Sequence, residues 1–478
     1  MQGRRSNRNR WVGLSALAAL VAGSSAQAES TGPTLALDEV ITRTLAHDPR
    51  ARVASAREDE ARATRQSATG NYGPRLQADA TWFRFSEAHD MTVVDPAHLD
   101  VSGVPPTLLA GMQPLLVQLA KPIRFRDETV SQLQLSVVQP ITQLYSVHHG
   151  RQAAKGGEDA AAAQRIQAER EATYRATESY YRLLAAQRLQ AVATEAVTTL
   201  SAHLEQAKQF REAEMLGLDE YLAVEVELGN ARENLIKAKV QRQLAYTAIA
   251  TLMGWTEPSD FAVAEIPDQA APPAPPALAD ARQGGLSGRP ELAALRAAAH
   301  AADEQDKVAW WQLVPQLSAL GRYQHSRGTA MNNPNEWFVG GVLSWTAWDW
   351  GATYFRAKAA TAQGRVARAR EDEARDSIHL EITQRSLAVE SARERLLVAR
   401  LTERQAVEAM RVATMKFEQR TVASTAVLDA QARLSRAQGN RVNAQYDLIL
   451  AVAALRLSMG EGAVPTVLPA ELTIAQEK

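Results

Sequence analysis

Apolar residues alternate with smaller or more polar ones in the stretch Glu336–Gly351. Within it, Trp337, Val339 and Leu343 are separated by even numbers of positions, so they would point to the same side of a strand. A two-residue period predicts a β-strand with one apolar face. The strand runs without a clear stop into an Ala-rich and Arg-rich stretch of helical character, Gly351–Gln419. A short strand that continues into so long a helix is unusual in a compact globular domain.

The same order of landmarks occurs twice along the chain. The pairs Asp48-Pro49 and Arg289-Pro290 lie 241 residues apart, and each is followed 25 residues later by another proline. The later pairs Met253-Gly254 and Met459-Gly460 lie only 206 residues apart. The first copy therefore holds about 35 additional residues, which we assign to the segment Glu87–Thr129.

Each copy is predicted to contain a helix, two strands and a long helical hairpin, in that order. In the first copy these are a helix over Leu35–Asn71, strands near Leu76–Trp82 and Leu133–Val137, and a long arm over Val147–Ala213. At 1.5 Å per residue such an arm is on the order of 100 Å long. The predicted division is 1–28 signal peptide, 29–255 first repeat, 256–289 Pro-rich linker, 290–460 second repeat and 461–478 tail.

The first 28 residues have the pattern of a secretory signal peptide. Four arginines between positions 4 and 10 precede the apolar run Trp11–Ala22, and Ala26–Ala28 provides a small-residue cleavage site. A retained membrane anchor is the alternative, but the run is shorter than the roughly 18 residues that a membrane helix needs. No later run approaches that length, so we expect an exported protein that is either soluble or a β-barrel protein.

Composition and motifs argue against several classes of protein. The chain has no cysteine, hence no disulfide and no thiolate-bound metal, and its 53 basic and 54 acidic residues give no support to nucleic-acid binding. Neither a phosphate-binding glycine loop nor a nucleophile elbow is present. The pair His148-His149 lacks a third ligand at helical spacing. We therefore predict no enzyme activity, no cofactor and no metal site.

Tryptophan is concentrated in or beside the predicted strands, which hold seven of the nine. Tryptophan prefers the membrane interface, and aromatic girdles flank the lipid-facing band of outer-membrane barrels. Strands of a soluble sheet are the alternative, but they do not account for helices of this length. The predicted membrane-interface aromatics are Trp82, Trp337, Trp345, Trp348 and Trp350.

Four strands per chain are too few to close a membrane barrel. The smallest such barrels have about eight strands, and an open sheet edge is not tolerated in lipid. Several chains must then contribute, and a cyclic arrangement would close the ring. The residues alone leave the number of chains open.

Three segments carry a resemblance to a known family: VLSWTAWDWG, FREAEMLGLDEYLAVEVEL and KFEQRTVASTAVLDAQARL. With the doubled element order, they make residues 35–460 similar to the TolC family of outer-membrane efflux proteins. The resemblance implies a mainly α fold with a small β part. Three chains would share a twelve-stranded outer-membrane barrel above a periplasmic tunnel of coiled-coil hairpins.

The resemblance also implies function. Such a homotrimer is a passive exit duct in a tripartite efflux or type I secretion system, and it docks to a periplasmic adaptor (membrane fusion) protein and an inner-membrane pump. A periplasmic coiled-coil adaptor or scaffold is the alternative, although the tryptophan-flanked strands disfavour a soluble domain. The segment Glu87–Thr129 is expected at the extracellular mouth, with its five prolines disfavouring regular structure.

By the family pattern, the hairpin tips form the periplasmic entrance. The implied gate residues are Glu220, Asp429 and the aromatic Phe417, and the implied adaptor contacts are Leu216, Gly217, Leu218, Arg420, Thr421 and Val422. Arg420 stands where the family usually has a glycine, whereas the first copy keeps Gly217, shifted by an apparent one-residue insertion. An alternative for both acids is that they are ordinary first-turn helix residues favoured by the helix dipole.

Overall fold

A computed structural model describes residues 34–92, 95, 98, 102–255, 261–264, 277–329 and 333–461. Its first half contains β1 (Thr34–Leu35), α1 (Leu37–His47), α2 (Pro49–Gly70), β2 (Arg75–Arg84), β3 (His89–Met91), α3 (Pro106–Leu119), β4 (Ile123–Pro140), α4 (Leu144–Glu212) and α5 (Leu218–Leu252). The second half contains β5 (Ala262–Val263), α6 (Leu278–Gly288), α7 (Pro290–Trp311), β6 (Gln316–Thr329), β7 (Asn335–Ser344), α8 (Ala352–Glu418) and α9 (Ser424–Ser458). The predicted signal peptide and most of the predicted tail lie outside the described residues.

Helix lengths repeat between the two halves. Helices α2 and α7 each have 22 residues, α5 and α9 each have 35, and the long helices α4 and α8 have 69 and 67. At 1.5 Å per residue the long helices reach about 100 Å. Shorter helices pack along each of them, α2 and α5 along α4, and α7 and α9 along α8. The structure thus consists largely of two long hairpins with shorter helices beside them.

The predicted single helix over Leu35–Asn71 is wrong, because two helices occupy this stretch. They meet at Asp48, whose φ and ψ of −59° and 117° lie outside the helical region. Pro49 has no N–H to donate and disfavours a helical conformation in the residue before it. The Asp48 carboxylate accepts a hydrogen bond from the Arg50 N–H at 3.1 Å and so caps the second helix.

The apolar core lies partway along the long helices, where the short elements pack on them. One cluster joins α1, α4, α5, β5 and α9 and includes Leu35, Val40, Tyr180, Tyr181, Leu183, Ile249, Phe261 and Ile449. A second joins α6, α7, α8 and α9 and includes Ala281, Leu292, Ile378, Ile382, Val389, Leu448 and Leu455. Both draw residues from α9, which therefore connects the two halves of the core.

The four longer strands form an antiparallel sheet in the order β2-β4-β6-β7, and the short β3 also pairs with β4. The second strand of the first copy was predicted near Leu133–Val137, but β4 has 18 residues. It is longer because it pairs with β2 and β6 on its two sides and extends past Arg84, the last residue of β2, to pair with β3.

Two segments that were predicted to be an irregular loop and a linker contain helices. Helix α3 lies within Glu87–Thr129, and Pro106 occupies its first turn, where a missing N–H has no cost. Helix α6 lies within the predicted linker 256–289. Its Ala281 and Gly285, four positions apart, are both buried, and Gly285 packs against Ile382 of α8. The expectation of irregular structure from proline content is therefore wrong for the part of Glu87–Thr129 that forms α3, and the predicted linker contains a helix.

Candidate membrane surface and periplasmic entrance

In the sheet, apolar side chains are exposed and a polar side chain between them is buried, the reverse of the usual distribution. On β4, Leu133, Leu135 and Val137 are 41%, 38% and 41% exposed, whereas Ser136 between them is only 7% exposed. The exposed positions pair with Ala80, Ala78 and Leu76 of β2, so the apolar face continues across both strands. A sheet that faces water normally buries its apolar side. The outward face of this sheet is suited to contact with lipid.

The predicted interface aromatics occupy the two ends of the sheet. Trp82 pairs with Ser131 and Trp337 pairs with Tyr323, both towards the end away from the long helices. Trp345, Trp348 and Trp350 follow the other end of β7, and all five side chains are at least 60% exposed. Trp345 lies eight positions after Trp337, which is about 27 Å along an extended strand. This is close to the roughly 25 Å height of the apolar band between aromatic girdles.

Both outer strands of the sheet have an unpaired edge. Within the described residues, β2 pairs only with β4, and β7 pairs only with β6. All ten residues of β7 are exposed, among them Val339 at 76% and Leu343 at 68%. Unpaired N–H and C=O groups in lipid cost several kcal/mol each. In lipid, the edges of β2 and β7 would therefore need another strand.

A tight turn joins β7 to α8. Trp350 and Gly351 have φ of 57° and 82°, in the left-handed region, which lets the chain reverse before the helix begins. The Asp349 carboxylate accepts hydrogen bonds from the Thr353 hydroxyl and from the Thr353 N–H at 2.8 Å. These bonds lower the pKa of Asp349, so the carboxylate stays charged where it caps the helix N-terminus.

The two hairpin tips have the same backbone geometry. Glu214 and Arg420 have φ of 59° and 60°, and each is followed by an N–H donated to a carbonyl five residues earlier, at 2.8 and 2.9 Å. The two turns are offset by 206 residues with no insertion between them. The expectation that Gly217 replaces the family glycine with a shift is therefore wrong, since Gly217 has φ of −64° and precedes α5. The left-handed position in the first copy belongs to Glu214.

A buried polar contact joins the two hairpins near their tips. The Nε2 atom of His203 lies 3.0 Å from the Ser424 hydroxyl, and these residues are 7% and 0% exposed. The Ser424 N–H donates to the Glu220 carboxylate at 3.2 Å. His203 is on α4, Glu220 on α5 and Ser424 at the start of α9, so three helices meet here. Burial of His203 lowers its pKa.

His203 and Ser424 were not among the predicted site residues. His203 lies three residues after Leu200 and four before Ala207, both of which are buried. A polar residue on the apolar face of a helix is the only signal in the sequence, and it does not reveal the partner. Ser424 lies 221 residues away, and the packing of α9 against α4 brings it to His203.

Phe417 does not project freely from the tip. Its side chain is 4% exposed, and its ring centroid lies 4.8 Å from the His203 ring and 5.7 Å from that of Phe210. The ring is therefore packed between α4 and α8 of one chain, because the apolar side of the hairpin turns inward. Phe417 thus contributes to the contact between the two hairpins of one chain, and its role in a constriction stays a prediction.

The remaining predicted tip residues are accessible. Gly217, Leu218, Arg420 and Thr421 are exposed, Leu216 and Val422 are partly buried, and the Arg420 guanidinium lies 5.6 Å from the centroid of the Phe210 ring. Asp429 is exposed on α9, whereas the Glu220 carboxylate faces the start of that helix. The structure thus gives the two predicted gate acids different surroundings.

The histidine pair lies beside a buried carboxylate near the sheet. Glu304 of α7 is 6% exposed and pairs with His149 and, at 2.7 Å, with the Lys307 ammonium group. Burial opposes ionisation of Glu304, but these hydrogen bonds outweigh it and lower the pKa. Among the described residues, no group of three or more His, Asp or Glu side chains could hold a metal ion.

None of the helices within the described ranges is both long and apolar enough to cross a membrane.

Residues 282–461 match the family model described as outer membrane efflux protein. No curated protein sequence matches the chain significantly. Among solved structures, VceC of Vibrio cholerae is similar at 18% identity and a TM-score of 0.73, over 89% of this chain and 96% of that one. CmeC of Campylobacter jejuni is similar at 14% identity and a TM-score of 0.72, over 92% of this chain and 89% of that one. MtrE of Neisseria gonorrhoeae, an outer membrane channel in an open state, is similar at 17% identity and a TM-score of 0.71. The match covers 93% of this chain and 94% of that one. These likenesses confirm the fold expected from the sequence.

Proposed function

We propose that the chain is the exit duct of a tripartite efflux or type I secretion system, because residues 282–461 match the outer membrane efflux protein family and its fold is that of outer-membrane channels. It lies in the outer membrane with a large periplasmic part, and it is a passive channel and not an enzyme. A periplasmic adaptor passes cargo from an inner-membrane pump to the helical end of the duct.

One observation carries the membrane part of this proposal. The exposed face of the sheet is apolar, and tryptophans lie at both of its ends. A periplasmic adaptor or scaffold, the alternative function, has no need for such a surface. Large exposed apolar areas on a protein in water would promote aggregation.

We propose that three chains close the barrel. The free edges of β2 and β7 lie at opposite ends of the four-strand sheet. Pairing β7 of one chain with β2 of the next satisfies both edges, and three chains give twelve strands. The same arrangement places the long helices of three chains side by side. It would cover apolar side chains that one chain exposes, such as Val226, Ile236, Leu387 and Val398.

We propose the following division of the chain. Residues 1–28 are a signal peptide removed on export, 29–255 and 290–460 are structural repeats, 256–289 connects them and 461–478 is a tail. The equal lengths of α2 and α7 and of α5 and α9 support the repeats. The connection carries α6, which packs on α8.

We place the periplasmic entrance at the hairpin tips. We propose that the exposed residues of the two turns, including Leu218 and Thr421, contact the adaptor, because no part of the described chain covers them. Asp429 from three chains would form a ring of carboxylates that favours cations. The contact of His203, Ser424 and Glu220 holds the tips of one chain together and so limits how far the entrance opens.

Two measurements test the proposed duct. Cell fractionation should recover the protein with the outer membrane, and recovery in the soluble periplasm would support the adaptor instead. In planar bilayers the purified protein should give ion conductance without any energy source. A membrane-located protein that never conducts, under any applied voltage, would contradict the channel.

A further inference from the structure

Buried polar groups without a partner are concentrated in one part of the sheet. Among the described residues, six buried side-chain polar atoms have no hydrogen-bond partner, and four of these belong to the central strands β4 and β6. The four are Nε of Arg126, Nε of Arg322, Oγ of Ser326 and Oγ1 of Thr329. Folded proteins leave few buried polar atoms unsatisfied, so this concentration calls for an explanation.

Strand pairing places two of these side chains on the polar face of the sheet, which we call the inner face. Arg322 is paired with Ser136, and Ser326 is paired with Gln132. Both partners alternate along β4 with the exposed apolar positions of the outward face. Directly paired residues of antiparallel strands lie on the same face. Arg322 and Ser326 therefore point away from the lipid-facing surface.

The other two side chains lie on the same inner face. Arg126 is paired with Thr329, and its guanidinium lies 3.7 Å from the centroid of the Phe85 ring. That ring lies 6.3 Å from the ring of Phe83. Phe83 is paired with Val130, which alternation along β4 places on the inner face. All four groups without a partner therefore share this face.

The charges of the two arginines are not compensated within the described part of the chain. Neither Arg126 nor Arg322 forms an ion pair there. The Arg322 guanidinium instead lies 5.5 Å from the centroid of the Phe338 ring. Glu336 is two residues from Phe338 on β7, close enough for long side chains to meet, yet the two do not pair. Asp79 lies on β2, two strands from β6.

The four groups have in common that they can donate hydrogen bonds. A guanidinium can only donate, and serine and threonine hydroxyls can donate as well. The planar fork of a guanidinium matches the paired oxygen atoms of a carboxylate or a phosphate group. A cation would be repelled, and an apolar molecule would leave the donors unsatisfied. The chemistry of the inner face therefore indicates an anion.

We propose that the inner face binds anions bearing carboxylate or phosphate groups in the outward part of the barrel lumen. Tyr323, next to Arg322, is paired with Trp337, and Arg126 lies still further from the long helices. Three chains would provide two levels of three guanidinium groups, and rings of arginine favour anions. This inference rests on the proposed function, because the closed barrel turns the inner face towards a lumen.

Ion selectivity of the protein in planar bilayers tests the inference. Reversal potentials across a gradient of dilute potassium chloride give the permeability ratio of chloride to potassium, and dilute salt limits screening of the charges. Arg322→Gln removes one positive charge per chain from the inner face. Arg327→Gln is the matched control, because it removes the same charge from an exposed position of the same strand on the outward face.

We expect Arg322→Gln to lower the chloride-to-potassium ratio about twofold or more, and the double variant with Arg126→Gln to lower it further. Arg322→Lys, which keeps the charge, and Arg327→Gln should both stay close to the unaltered protein. Inorganic pyrophosphate added on the barrel side should compete with chloride and lower the ratio of the unaltered channel. Its effect should be several-fold weaker in Arg322→Gln.

Two results would overturn the inference. Equal ratios for the unaltered protein and the double variant would mean that water alone satisfies these donors. An equal effect of pyrophosphate on the unaltered protein, Arg322→Gln and Arg327→Gln would mean that the inner face does not bind the anion. Conductance of the unaltered protein separates both results from failure of the proposed function. If it conducts and the ratios do not change, only the anion site is wrong.

Discussion

His203 is a buried titratable residue near the hairpin tips. Its folded-state pKa is lowered by burial, whereas in the unfolded chain it is near 6.5. The unfolded state therefore takes up a proton first as the pH falls. The stability that His203 contributes is fully present above pH of about 6.5 and is lost as the pH falls towards the lower, folded pKa.

We therefore expect the thermal stability of the protein to fall between pH 7.5 and pH 5. His203→Gln, which cannot take up a proton, should show a smaller fall over the same range. His89→Gln, at an exposed histidine of β3, is the matched control and should behave as the unaltered protein does. Identical pH profiles for the His203 variant and the unaltered protein would rule out this residue as the cause.

The two predicted gate acids can be tested separately because their surroundings differ. Asp429→Asn removes a charge from an exposed position and should reduce cation selectivity and weaken block by multivalent cations, with little loss of trimer stability. Glu220→Gln keeps an oxygen that can accept the Ser424 N–H but removes the charge. Unchanged selectivity and block in the combined variant would mean that both acids only stabilise helix ends.

For single residues, the sequence predicted which element each belongs to better than it predicted their burial and contacts. The exposed tryptophans beside the strands follow from alternation and composition. The burial of Phe417 could not be predicted, because it depends on how α8 packs against α4 in three dimensions. The left-handed turn residues Glu214 and Arg420 were missed for another reason. Side chains other than glycine adopt this conformation rarely, so nothing in their identity indicates it.

Among the helices, the crossing of α4 and α7 depends on one glycine. A Cβ added at Gly156 would lie 2.8 Å from the Ala297 carbonyl oxygen and 2.9 Å from the Ala301 Cβ, so the helices would have to move apart. The neighbouring Gly157 has nothing within 4 Å of such a Cβ. The two positions therefore form a matched pair in one helix.

We expect Gly156→Ala to destabilise the protein by about 1–3 kcal/mol through overpacking. Gly157→Ala should stabilise it by up to about 1 kcal/mol, because alanine favours the helix. Thermal unfolding in detergent, followed by circular dichroism, measures both. Stabilisation by both variants would show that the helices do not approach closely at Gly156.

Element order and helix length were largely readable from the sequence. The proline and glycine landmarks recur at fixed offsets, and α2 and α7 begin 241 residues apart, at Pro49 and Pro290. Helices α3 and α6 were missed because proline-rich flanks were taken to exclude helix. Around α3, Pro105 precedes the helix, Pro106 occupies its first turn, Pro114 lies in its interior and Pro122 follows it. The proline run of the linker precedes α6. The helical period inside these segments was the better signal.

At the scale of the whole molecule, the part of the chain that the structure describes leaves several surfaces without a partner. Its sheet exposes an apolar face and two unpaired edges, and its long helices expose apolar side chains along their length. In the proposed assembly a lipid bilayer satisfies the first of these, and further chains satisfy the others. We therefore propose that three copies form one barrel and one tunnel.

Native mass spectrometry of the detergent-solubilised protein tests this claim most directly. We predict a single species at three times the mass of the mature chain, which persists when the detergent is removed from the complex in the gas phase. Two proline substitutions in the edge strand β7, at Val339 and Gly341, should abolish that species, because they remove N–H donors from the strand. A stable monomer of the unaltered protein that conducts ions in a bilayer would contradict the account.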